Sequence, residues 1–349
     1  MFKLHRSLAI LTVFVGFSTV LAYQARDTKQ ETLPPAERLL WVDPGDPSTR
    51  DFVYGVGGPE NQPQPPFRFV KEDLSGTRAK VNVVDARGVN WNVKWGHEAH
   101  SSTFCTRLLW ALGYFVETEY FVPRGRIEGV HDLKRAKSRV DRNGDFEEAR
   151  FQLRSDSPKF LAGQSWTWPD NPFVGTPQLQ GLKVLMLLVS NWDTKDSRNS
   201  VKQGGQRVMD SNLGIFEDES TGQRRHLYSN FDWGASLGEW GGTLTWNRWN
   251  YKGFESQTPN FVKGFEDGRV QWGFKGKHRD DITNGISAAD VQWILKYLSR
   301  ITDKQIQEGL IASGASQDET ASFTRTIRNR IKQLEQVVAE DRRSTTMIR

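Results

Sequence analysis

The spacing of apolar residues changes period several times along the chain. Residues 80–85 (Lys-Val-Asn-Val-Val-Asp) and 89–94 (Val-Asn-Trp-Asn-Val-Lys) alternate with period two, and Ala86, Arg87 and Gly88 separate them. That pattern predicts a β-hairpin. After Gly96 the period becomes helical. Phe104, Leu108, Leu109 and Leu112 share one face, and Gly113 suits the residue that closes a helix. Strands are predicted at 114–122 and 147–153. Residues 179–189 are almost wholly apolar and predict a helix ending just before Asn191-Trp192-Asp193. A second hairpin is expected from 213–216 and 225–231. Beyond residue 287 the pattern is helical. Ser287 with Asp290 caps a helix over 291–301, Thr302 caps another over 303–312, and a third over 323–338 carries Ile327, Ile331 and Leu334 on one face. The order predicts an α+β chain in two lobes. A small β-rich N-lobe spans 51–122, a larger, mainly helical C-lobe spans 123–340, and 341–349 form a disordered tail.

The N-terminal residues modify this picture. Lys3, His5 and Arg6 precede an apolar stretch over 8–21, and Ala22 suits the last position before a cleavage site, with Val20 two residues earlier. This is the pattern of a secretion signal. The apolar stretch is shorter than the roughly 20 residues that a membrane span needs. The chain is therefore expected to be exported, periplasmic or secreted, with 23–50 as a flexible leader. No later segment is apolar enough to cross a bilayer. A single cysteine, Cys105, excludes an intramolecular disulfide, and export without disulfides suits a bacterium. Its apolar setting predicts a buried, unreactive thiol. The net charge of +5 is dispersed rather than focused, so a nucleic-acid partner is not expected.

Four polar residues sit where the secondary structure is predicted to change. Lys94 ends a strand, Glu98 begins the helix after it, Asp193 follows the apolar helix, and Asp232 follows the second hairpin in Asp232-Trp233-Gly234. In this order they resemble the protein-kinase-like superfamily in its divergent branches: the phosphatidylinositol 3- and 4-kinases, the HipA toxin kinases and the secreted kinases. The segments Lys-Trp-Gly, Asn-Trp-Asp and Asp-Trp-Gly also resemble those of a group of exported bacterial proteins. The resemblance covers residues 53–334. It implies a nucleotide, ATP, with Mg²⁺ or in its place Mn²⁺, and a hydroxyl acceptor on a protein, lipid or sugar. Lys94 then resembles the lysine that contacts nucleotide phosphates, with Glu98 as its helix partner. Asp193 resembles the catalytic aspartate, and Lys195 the lysine two residues beyond it. Asp232 resembles the metal-binding aspartate of Asp-Phe-Gly. Asn199 resembles the metal-binding asparagine, but it lies six positions after Asp193, where the kinase loop has five, and Asn212 stands as the alternative. There is no His-Arg-Asp and no Gly-x-Gly-x-x-Gly; Gly55-Val-Gly-Gly58 and Ser75-Gly76-Thr77 are the remaining phosphate-covering turns.

Other motifs carry less. Asp141-Arg-Asn-Gly-Asp145 imitates the start of a calcium loop, but Phe146 and Gln152 replace its glycine and its last glutamate, so a tight turn is expected. His97 and His100 are too isolated for a zinc site. Trp233, Trp240, Trp246 and Trp249 suit core packing, or else an aromatic groove for a glycan. Two alternatives to an active enzyme therefore stay open: a pseudokinase-like scaffold and a glycan-binding protein.

Overall fold

The hairpin expected before Gly96 forms within a larger closed structure. In this computed structural model, residues 33, 35–76, 78–242 and 246–347 are described. The expected signal segment and the cleavage after Ala22 lie outside them. Among the described residues the first strands are β1 (Glu37–Leu39), β2 (Phe67–Glu72), β3 (Lys80–Val84) and β4 (Asn90–Trp95). Asp85 builds the β3–β4 turn. Its carboxylate accepts the N–H groups of Arg87 and Val89 and the Trp91 indole N–H. Burial alone would raise the Asp85 pKa; those donors outweigh it and hold it low.

At Gly96 (φ +94°) the chain turns into α1 (His97–Ala111), then runs through β5 (Glu119–Glu128) and β6 (Asp145–Leu153). Strands β2, β3, β4, β6 and β5 close a barrel in that order, with a parallel β2–β5 seam at Phe67–Ile127. Where a small lobe of antiparallel strands was expected, a closed barrel forms, with strands from residues 67–153. The expected boundary at Val122 falls inside β5. Trp91, Val93, Phe146 and Phe151 are among the side chains of its own apolar core. The turn at Asp141 is tight: its carboxylate accepts the N–H groups of Asn143 and Asp145.

The rest of the chain encloses a second core. Helix α2 (Pro177–Leu188), capped by Thr176, is preceded by the short β7 (Lys159–Phe160). The hairpins β8 (Ser200–Gln203)–β9 (Gln206–Met209) and β10 (Leu213–Asp218)–β11 (Arg225–Asn230) follow. β1 pairs in parallel with β11, and β7 lies on the far edge of β10. Part of the expected flexible leader is thus fixed as a sheet strand, with Leu40 buried behind it. Next come α3 (Tyr251–Ser256), β12 (Val262–Glu266), β13 (Arg269–Trp272), α4 (Arg279–Thr283), α5 (Ala288–Leu298), α6 (Asp303–Ala312) and α7 (Gln317–Met347). Full capping boxes start α5 and α6. Helix α7 continues through Met347, so the expected tail is helical to that point. No helix of the described residues is long and apolar enough to cross a membrane.

Arg330 of α7 ties this core together. It is 1% exposed, and its guanidinium donates to Leu187 O, Leu188 O, Phe254 O, the Ser190 hydroxyl and the Thr258 hydroxyl. The partial negative charge at the end of α2 offsets the buried cation. Arg330→Met strands those acceptors in a dry interior. It should cost about 3 kcal/mol or more in urea unfolding, and Arg330→Lys, with fewer donors, should recover only part of that.

Candidate active site

Lys94 lies on the outer face of the barrel, because its neighbours Val93 and Trp95 fill the interior. Its cross-strand neighbours are Lys80 on β3 and Arg150 on β6. Burial, then Arg150, hold the Lys94 pKa below the ordinary lysine range, while Asp232 and Glu98 pull it back. Asp232 follows β11, and its Oδ1 accepts the Gly234 N–H at 2.9 Å. Burial opposes its ionisation, but Lys94, the Gly234 N–H, Arg150 and Lys195 prevail and hold its pKa low. Lys94 and Asp232 therefore lie within electrostatic reach of one another as opposite charges. A buried network backs this wall. Arg150 pairs with Glu119 at 2.8 Å, and Ser102 of α1 donates to Glu119 at 2.7 Å.

Asp193 sits at the turn after α2. Asn191 shapes the turn: its Oδ1 accepts the Asp193 N–H and its amide donates to Asp232 O. Lys277 Nζ lies 2.9 Å from Asp193 Oδ1, and Lys195 Nζ lies 3.5 Å from Oδ2. Lys195 also contacts both oxygens of Asp210 at 3.0 Å. Burial would lower its pKa; Asp193 and Asp210 overcome that and raise it. Asn212 is buried, and its amide donates to Asp193 O. Lys94, Asp193, Lys195 and Asp232 thus form one electrostatic cluster, bordered by Asn212.

Two expected members sit elsewhere. Asn199 Oδ1 accepts the Asp196 N–H at 3.0 Å and lies 2.6 Å from His278 Nε2, so the turn and the histidine occupy it. Glu98 pairs with Arg248 at 2.8 Å and Arg78 at 3.5 Å rather than with Lys94. Beside Asn199, the side chains of Asp196, His278 and Asp281 have the spacing of a metal site. Arg198 bonds both aspartates there and already supplies the positive charge.

Among the tryptophans, Trp233 and Trp249 are buried, whereas Trp246 is exposed and lies near Trp192 and Arg248. His100 is buried against Trp249. Cys105 is fully buried and burial pushes its thiol pKa up, as an unreactive thiol requires. The roles of Asp210, Lys277 and Arg248 escape sequence reading because each meets the cluster from a loop remote in sequence. Arg150 left a trace in the alternation of β6, opposite Lys94.

No protein-family model and no curated protein match this chain. Eight chains among solved structures match. One, titled "Crystal structure of the golgi casein kinase", is 11% identical over 79% of this chain and 72% of that chain, with a TM-score of 0.32. Overlap of this size leaves the site to be read from its own residues.

A separate cavity of about 460 Å³ holds Glu117 against Trp110, Leu153, Phe216 and Arg154. Burial, then Glu119, push the Glu117 pKa up to about 7. The folded state thus favours the protonated form. That contribution to stability is complete below the ordinary value of 4.5 and is lost as pH rises through about 7. Thermal unfolding of wild type and Glu117→Gln should therefore diverge between about pH 5 and about pH 8, the variant gaining relative stability at the higher pH.

Proposed function

We propose that this chain is an exported, kinase-like phosphotransferase that moves the terminal phosphoryl group of ATP to a hydroxyl acceptor. The barrel serves as the small lobe and the remainder as the large one. The observation that carries the reading is the electrostatic coupling of Lys94 and Lys195 to Asp232, with Asp193 3.5 Å from Lys195. Lys94 suits the negative phosphate oxygens. The ionised Asp232 and the amide oxygen of Asn212 are hard donors, which fit Mg²⁺ or Mn²⁺. Such an ion, when bound, neutralises phosphate charge.

In this reading Asp193 orients the acceptor hydroxyl and accepts its proton. The acceptor oxygen bonds to the terminal phosphorus, the bridging P–O bond breaks, and ADP leaves with that electron pair. Lys195 pairs with Asp193 and holds it in place. One observation favours an inactive, pseudokinase-like variant instead: Lys277 already occupies Asp193 Oδ1, where the acceptor proton would arrive. The burial of Trp233 and Trp249 weakens the glycan-groove reading.

Single-turnover transfer from labelled ATP separates the readings. Asp232→Asn should abolish Mg²⁺-dependent nucleotide binding. Asp193→Asn should leave binding intact and cut turnover by about 10²–10⁴-fold. Equal background rates in all three forms, with no nucleotide binding, would reject phosphotransfer. Binding without turnover in the wild type would establish the inactive variant.

A further inference from the structure

The cavity of about 460 Å³ beside Glu117 is built mainly from the α1–β5 link, the chain after β6 and the β10–β11 hairpin, and none of Lys94, Asp193, Lys195 and Asp232 lines it. Its volume falls within the range of small-molecule sites, roughly 300–1,000 Å³. Trp110, Phe115, Leu153, Phe160, Phe216 and Leu227 give it largely apolar walls. Val42, Val56 and Phe160 line it and are exposed, so apolar surface continues to where it opens. An apolar body placed there would remove that surface from water. Most polar groups of the lining are committed within the protein. Tyr114 donates to Gln178 O and Ser229 to Phe115 O. Asp218 is held by Arg225, Ser157 and the Ser220 N–H. Arg50 donates to Pro44 O and stacks over Trp110 at 4.9 Å.

Glu117 is the exception inside. It is half-buried rather than sealed, and its carboxyl makes no hydrogen bond or ion pair among the described residues. Arg154, also without an ion pair among the described residues, is exposed, where water screens its charge. The charge that acts most strongly on Glu117 is the negative one of Glu119; Arg154, Arg150 and Lys94 act in the opposite sense. Burial and Glu119 together keep the acid protonated up to about pH 7, because no partner in the protein stabilises its charge. A ligand with a positive head supplies that partner, and such a charge-assisted bond is roughly twice as strong as a neutral one. A neutral hydroxyl would make only the weaker bond. A carboxylate head would add negative charge beside Glu117 and Glu119. We infer that this cavity binds an apolar amine in its ammonium form, with the charge paired to Glu117 and the hydrocarbon body against Trp110, Leu153 and Phe216. The inference is independent of the proposed function.

The test titrates the full chain with octylamine, octanol and octanoate, which share one hydrocarbon body, by calorimetry and without nucleotide. At about pH 8 octylamine should bind at least about tenfold tighter than either of the others. Binding of the ammonium needs the ionised acid, so its affinity should fall about tenfold between about pH 8 and about pH 6, while that of octanol changes little. Glu117→Gln keeps the size of the side chain but cannot ionise, and should bring octylamine to the level of octanol. Val56→Trp, at an exposed position where the cavity opens, should weaken all three probes. The inference is overturned if octanol or octanoate matches octylamine at the higher pH, or if the preference for the amine survives in Glu117→Gln. It is equally overturned if Val56→Trp leaves binding undiminished, or if no probe binds. ATP turnover plays no part in these measurements, so this inference and phosphotransfer fail separately.

Discussion

A buried guanidinium with no carboxylate partner among the described residues organises the larger core. Arg330 reaches from α7 to the end of α2, and the acceptors it meets are carbonyls and hydroxyls. A charge in this setting is tolerated only because its donors are matched in direction by oxygen atoms. The match fixes where α2 stops. Ser190, bonded to Arg330, is followed at once by Asn191-Trp192-Asp193. The position of Asp193 therefore depends on a contact made by a helix more than a hundred residues later in the chain.

The cluster beyond α2 is a balance of charges rather than a collection of acids. Lys94 and Arg150 offset the charge of Asp232, and Lys195 lies between Asp193 and Asp210. Burial would raise the Asp232 pKa, and cations from other parts of the chain keep it low. Removing any one charge leaves its partner poorly compensated in a region of low dielectric. Glu98, four positions after Lys94, pairs directly with Arg248 and acts on Lys94 only through its charge.

Much of the framework was legible in the sequence because local rules produce it. The β3–β4 hairpin, the switch at Gly96, the apolar α2 and the capped α5 and α6 are each specified by residues within a few positions. The alternation that put Lys94 and Val93 on opposite faces was equally plain. Closure of the barrel was not, since the β2–β5 seam joins segments far apart without a local signature. Nor was the docking of β1, whose three residues gain a partner only from β11. In the candidate site, Asp193, Lys195 and Asp232 could be singled out because each follows a regular element, and they fall in one electrostatic cluster. Asn199 was misplaced because its amide is claimed by a turn and by His278, which is distant in sequence.

The burial of α1 has a mechanical consequence. Nearly every residue from Ala99 to Leu109 is enclosed, and its hydroxyls reach outward on both sides: Ser101 to Gly234 O and Ser102 to Glu119. A helix held this way cannot swing like a lever on the edge of a sheet, because any rotation would open voids in the larger core and break its bond to Glu119 of the barrel. With a closed barrel on one flank, the compliant parts are the connections instead. Relative motion would therefore pass through the turn at Gly96 and the chain after β6, with α1 acting as an axle.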